Sequence, residues 1–226
     1  MSGGNSLTLV CTTFALVVSS AGGTQLRPQD RSLPFSCATF SPNISAADLR
    51  TRFGEEHVQT AAVPWGGAEG DSNEGTVLFG KDPSTRLEIY WQDTLAKRNP
   101  EWVSVRGSRS RWRTPAGITL GTHLRTIEKL NARPFRLLGF GTDVSGTVMS
   151  WSDGGLGTQD SAECRVRLRL GVAWASTKDG RSPLFRQLIG EREFSSGHPA
   201  MQALNPSVYE LFLQYRRIPV NGRIDR

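Results

Sequence analysis

Three cysteines, three histidines and three methionines are scattered over 226 residues, and each scarcity excludes a class of chemistry. No CxxC pair occurs, so the ligand spacing of zinc sites and the thioredoxin-type redox motif are both missing. His57, His123 and His198 stand far apart and outside any HExxH pattern, which leaves no metal-ligand set, and no cofactor is expected. No Walker Gly-Lys-Ser/Thr is present. The glycine-rich stretch from Gly139 to Gly146 lacks the third glycine of a dinucleotide fingerprint, because Val144 stands in its place. Asp143 likewise removes the first glycine of a nucleophile elbow around Ser145. A β-turn between strands is the reading of that stretch. Hydrophobic residues make up 37% and charged residues 21%, with 24 Gly and 12 Pro, which argues against a coiled coil, a collagen-like chain and wholesale disorder.

The longest uncharged apolar run, Leu7 to Ala21, is shorter than the roughly 20 residues a spanning helix needs. It ends in Ser19, Ser20 and Ala21, which satisfy the small-x-small rule for signal cleavage. The expectation is a signal segment over 1–21, cleaved at Ala21, and a periplasmic or secreted product without a transmembrane span. A buried core helix or an uncleaved anchor is the alternative. Cys11 follows Val10, where lipid attachment needs a small residue. Cleavage leaves Cys37 and Cys164, and export favours a bridge between them over two separate buried thiols.

The remaining chain reads as an α+β protein built from two tandem helix-plus-β-hairpin units in mainly antiparallel sheet. A polar leader occupies 22–39, the first unit 40–115, the second 116–180, and an extension 181–226 ends in a strand over Ser207 to Arg216. Ser45 and Asp48 form a capping box before Leu49 and Phe53, and Gly54 stops that helix. A glycine-rich loop follows, then strands over Gly75 to Phe79 and Arg86 to Trp91 around a turn at Lys81 to Ser84. The order recurs. Leu49-Arg50-Thr51 returns as Leu124-Arg125-Thr126, Gly75-Thr76-Val77-Leu78 as Gly146-Thr147-Val148-Met149, and Arg86-Leu87-Glu88-Ile89 as Arg165-Val166-Arg167-Leu168. Leu124, Ile127 and Leu130 form the apolar stripe of the second helix.

A capped helix, a short loop and a hairpin, repeated at this spacing, resemble the β-lactamase-inhibitor-protein fold and the single-unit outer-membrane assembly lipoproteins of that shape. The words RPFRLLGFGTDVSGTVMSW and EREFSSGHPAMQALNPSVYELFL also resemble secreted bacterial proteins without an assigned activity. The resemblance implies an exported, non-enzymatic binding module. The lipidated cysteine of the lipoproteins is not carried over.

Charge supplies the strongest binding signal, with 27 Lys+Arg against 21 Asp+Glu and a net charge of +6. Arg165, Arg167 and Arg169 alternate with Val166, Leu168 and Leu170, which places three guanidinium groups on one sheet face. Arg109 and Arg111 belong to a second basic run that encloses Trp112. Guanidinium forks suit phosphates and carboxylates, so an anionic envelope component is one partner, and a solvated face laced with ion pairs is the competing reading. Trp65, between Pro64 and Gly66 in a loop from Gln59 to Glu74, is the anchor for a protein partner, or else folds over the sheet edge. Nucleic acid is disfavoured by export and by the lack of a recognition motif. His198, in a polar loop with nearby serines, is the catalytic candidate of an alternative reading as a small cell-envelope hydrolase. An accessory role in envelope assembly is the third reading, and a monomer is expected.

Overall fold

The computed structural model describes Met1 and residues 32–64, 72–107, 109–173 and 182–218. The chain divides into two units, 1–31 and 32–226, and every element below lies in the second. The cleavage position Ala21, and also Trp65 and Trp174, fall outside the described residues. No helix among the described residues is long and apolar enough to cross a membrane.

The architecture is α+β with mainly antiparallel sheet. In chain order the strands are β1 (Leu33–Pro34), β2 (Val58–Pro64), β3 (Ser72–Leu78), β4 (Leu87–Asp93), β5 (Arg98–Arg106), β6 (Trp112–Arg113), β7 (Arg136–Leu138), β8 (Val148–Ser150), β9 (Cys164–Gly171), β10 (Glu193–Ser195) and β11 (Ser207–Tyr215). The helices are α1 (Ala46–Phe53), α2 (Leu124–Asn131), α3 (Pro183–Arg186) and α4 (Pro199–Leu204). Six strands form one antiparallel sheet in the order β2-β3-β4-β5-β11-β9, three form a second in the order β10-β7-β8, and β1 pairs with β6 in parallel. Strand alternation sends Leu87, Ile89 and Trp91 of β4, Val103 and Val105 of β5, and Leu211 and Leu213 of β11 into one apolar core. That core also takes Phe35, Leu49, Leu124 and Ile127, so it draws on every segment of the described chain.

The capping box of α1 forms as the sequence predicts. Ser45 Oγ accepts from the Asp48 N–H at 3.2 Å, and the Asp48 carboxylate accepts from the Ser45 N–H at 2.8 Å. The Ser45 hydroxyl also donates to that carboxylate at 2.6 Å, and this bond first, then the one from the Ser45 N–H, holds the Asp48 carboxyl below its ordinary value. Gly54, at φ 98°, ends the helix.

Several expectations are corrected. The loop from Gln59 to Glu74 is largely a hairpin, with β2 and β3 in register from Val58↔Leu78 to Pro64↔Ser72. The second helix runs from Leu124 to Asn131 with His123 at its N-cap, and Leu130 of the expected apolar stripe is exposed. The final strand ends at Tyr215 rather than Arg216. A bulge between Val208 and Glu210 turns Tyr209 out and Val208 into the core. The paired words of the two units do fall on helix, strand and strand, but β8 lies in the three-stranded sheet and β9 in the six-stranded one. One isolated bridge, Thr147↔Arg169, joins the segment leading into β8 to β9, whereas β3 and β4 pair along three consecutive positions. The second unit is therefore not a hairpin like the first.

The leader also contributes structure from Leu33 onward. Leu33 N donates to Arg111 O at 2.8 Å and Phe35 N to Arg113 O at 2.7 Å. Phe35, Phe40 and Trp112 pack as an aromatic triad with centroids 5.6–6.5 Å apart. Tyr215 Oη donates to Phe40 O at 2.6 Å, and burial pushes that phenol well above its ordinary value. Cys37 and Cys164 are bridged across 127 residues, which fastens this segment to β9. In the chain-entropy view a loop of that length is worth about 4–5 kcal/mol. Replacing both cysteines by serine is expected to lower unfolding free energy by about 2–5 kcal/mol in a urea titration. An unchanged midpoint would show that the bridge carries no load.

Candidate functional site

The face of the six-stranded sheet turned away from the core is where charge and aromatic surface meet. Alternation assigns it Ser104 and Arg106 from β5, Glu210, Phe212 and Gln214 from β11, and Arg165, Arg167 and Arg169 from β9. The three arginines do share one face, but they do not form an open cationic surface. Arg169 is only 5% exposed, Arg167 is half-buried, and Arg165 alone is exposed.

Glu210 explains the difference. Its carboxylate is buried and accepts from Ser104 Oγ at 2.8 Å and from Arg106 Nε at 2.7 Å. Arg169 Nη1 lies 3.2 Å from its other oxygen. Two guanidinium groups on either side of one carboxylate neutralise charge that cannot reach water. Arg167 pairs with Asp160 at 3.5 Å. Burial lowers the Arg167 pKa, Asp160 opposes that shift, and Arg165 reinforces it. Arg169 also lies over the Phe212 ring, 5.4 Å from its centroid. The opposite partner of Phe212 is Trp102, stacked at 4.1 Å with 10° between the planes. Glu210, Arg169, Phe212 and Trp102 thus form one braced column across β9, β11 and β5.

The column ends at a cleft of about 350 Å³ lined by Trp102, Tyr90, Gln214, Pro64, Glu101 and Arg217. Tyr90 and Trp102 are half-buried, and Gln214 is exposed. Arg217 donates twice to Glu101 Oε1, at 3.0 Å and 2.7 Å, which places an ion pair at the rim. Gln92 secures the tail that carries Arg217. Its side-chain N–H groups donate to Arg216 O and Pro100 O, and its oxygen accepts from Ile218 N at 2.7 Å. A volume of this size accommodates a side chain or a small ligand.

A second cleft of about 360 Å³ lies at the opposite end of β2, between Gln59, His57, Phe79, Asp82 and Arg111. Phe79 holds a left-handed backbone at φ 53° and packs on the His57 ring at 4.9 Å. The Asp82 carboxyl is held below its ordinary value, first by the Ser84 hydroxyl and then by the Ser84 N–H.

The remaining sequence-predicted residues are not gathered at either cleft's chemistry. Arg109 is exposed, and Arg111 lines the second cleft. Trp112, enclosed by that basic run, is a core residue whose Nε1 donates to Thr85 O at 2.7 Å. His198 caps α4, its Nδ1 accepting from Ala200 N at 3.2 Å, while its ring meets Phe194 edge-on. Buried Ser196 donates to Glu128, which also accepts from Gln202, and His198 takes no part in that cluster. Among the described residues no hydrogen bond brings a carboxylate or a serine hydroxyl to the His198 ring, so the hydrolase arrangement is not assembled there. The described residues also contain no group of three or more His, Cys, Asp or Glu side chains placed to hold a metal ion.

The aromatic column was not singled out from sequence. Its one signal is Glu210, a lone acid among Val208, Tyr209, Leu211, Phe212 and Leu213. No family model, curated protein or solved structure matches this chain.

Glu210→Gln strands Arg106 and Arg169 without a counter-charge. Unfolding free energy is expected to fall by about 3 kcal/mol, the lower end for a broken buried pair because Arg106 keeps some access to solvent. Adding Arg169→Met should recover part of that loss. Urea titration of the single and double variants checks both, and a single-variant loss within the roughly 0.5 kcal/mol of an ordinary surface change would refute the role.

Proposed function

We propose that the protein is an exported, non-enzymatic binding module that receives a side chain of a protein partner in the cleft headed by Tyr90 and Trp102. The observation that carries this reading is the braced Trp102–Phe212 stack, which presents an indole to an open cleft from a strand hydrogen-bonded to neighbours on both sides. Tryptophan, tyrosine and arginine dominate the energetic centres of protein interfaces, and here Trp102, Tyr90 and Arg217 line one cavity. A wall fixed before binding loses little further conformational entropy. Partner apolar groups displacing water from the indole would supply the affinity, and the Glu101–Arg217 pair would orient a polar neighbour. An anionic polymer gains less support. Two of the three β9 arginines spend their charge on Glu210 and Asp160.

Export is supported by the Cys37–Cys164 bridge, since such bridges persist in oxidising compartments, and by the apolar stretch Leu7 to Ala21 with its small-residue end.

Affinity capture from the native envelope extract, run in parallel with wild type and Trp102→Ala, tests the site. The expectation is a partner retained at least about tenfold more strongly by wild type, a loss typical of an interface centre. Equal retention would remove the cleft from the binding surface. Protein isolated from its native source is expected to begin at Gly22 by mass mapping. An intact Leu7–Ala21 segment would reject cleavage at Ala21.

A further inference from the structure

The two edges of the six-stranded sheet are treated very differently. The β9 edge is guarded. Val166 N donates to Asp160 Oδ1 at 2.9 Å, Leu170 N donates to Gly146 O at 3.0 Å, and Thr147 bridges Arg169. Three arginines also punctuate that strand, so a second copy of the edge would meet like charge.

The β2 edge is less guarded. It runs seven residues, Val58-Gln59-Thr60-Ala61-Ala62-Val63-Pro64, without a charged side chain and without a bulge in its pairing to β3. Every second residue turns its N–H and C=O away from β3. On that side the Val58 N–H already donates to Glu55 O and Pro64 has no N–H, which leaves the N–H and C=O groups of Thr60 and Ala62, and among the described residues no strand or other backbone group pairs with those. Gln59, Thr60, Ala62 and Pro64 are exposed. Val58 and Val63 are buried, so the apolar groups are already covered and the free capacity of the edge is in its hydrogen bonds.

We infer that β2 pairs antiparallel with the β2 strand of a second copy of this chain, joining two six-stranded sheets across a two-fold axis. An antiparallel pairing centred on Ala61 is two-fold by geometry and brings together no charged side chains. Centred there, Thr60 faces Ala62, Gln59 faces Val63 and Val58 faces Pro64, with small or neutral groups at every position. The net charge of +6 opposes self-association over the surface at large, and this edge contributes nothing to that repulsion. The guarded β9 edge blocks β2-on-β9 stacking, so the contact closes as a dimer instead of propagating as a fibre. One strand pair is small beside the about 1,600 Å² of a standard interface, so the dimer is weak and concentration-dependent. This departs from the monomer expected from the sequence and does not rest on the proposed partner cleft.

Sedimentation of the purified chain with its disulfide intact, from micromolar to about 1 mM, tests it. Wild type is expected to move from monomer to dimer within that range. Thr60→Lys and Ala62→Lys place like charges across the axis and should each weaken the dimer at least about tenfold, while Arg165→Glu on the far edge should leave it unchanged. Monomer at every concentration overturns the inference. So does a dimer indifferent to both lysine variants, or one abolished by Arg165→Glu. Should the lysine variants lose their thermal transition, amide exchange in wild type decides the matter. Amides of β2 that gain protection as concentration rises support the pairing, and unchanged β2 amides refute it.

Discussion

A carboxylate buried between two guanidinium groups governs how the six-stranded sheet is finished. Glu210 sits on β11, between β5 and β9, and accepts from or pairs with a residue of each neighbour. Its removal from water is tolerable only while those partners stay in place, so the charge penalises any shift of β11 against either strand. A slip by one residue would send Glu210 into the apolar core and Leu211 to the opposite face. One of those partners, Arg169, also lies over Phe212, which stacks on Trp102. The register of the sheet and the shape of the aromatic cleft are consequences of one electrostatic constraint.

Local chemistry was readable where it was self-sufficient. The Ser45–Asp48 box, the β3–β4 turn and the final strand each carry their signal within a few residues. The Cys37–Cys164 pair followed from counting the cysteines that an expected cleavage at Ala21 would leave. β2 was read as loop because Val58 and Val63 are buried on opposite faces, so the period-2 signal of a half-buried strand is absent. Leu33 and Pro34 form too short a strand to register, and their partner, β6, lies far along the chain.

The site was less legible than the fold. The alternation of Arg165, Arg167 and Arg169 gave the correct shared face, but whether that face was open depended on Glu210 and Asp160, which no local pattern links to it. Trp112 shows the opposite case. A basic run encloses it, yet its ring is fully buried against Phe35 and Phe40. The repeated words illustrate a further limit. Helix, strand and strand recur in order, yet β8 and β9 join different sheets, since short matching words specify local conformation and leave pairing partners open.

The strand completing the main sheet is also the last one among the described residues. β9 reaches β5 only through β11, so until residues 207–215 have been synthesised, β5 and β9 have no strand between them and the Cys164 segment has no bed to rest on. Closure of the six-stranded sheet therefore rests on contacts of long sequence separation between β11 and β5, the kind that slow folding.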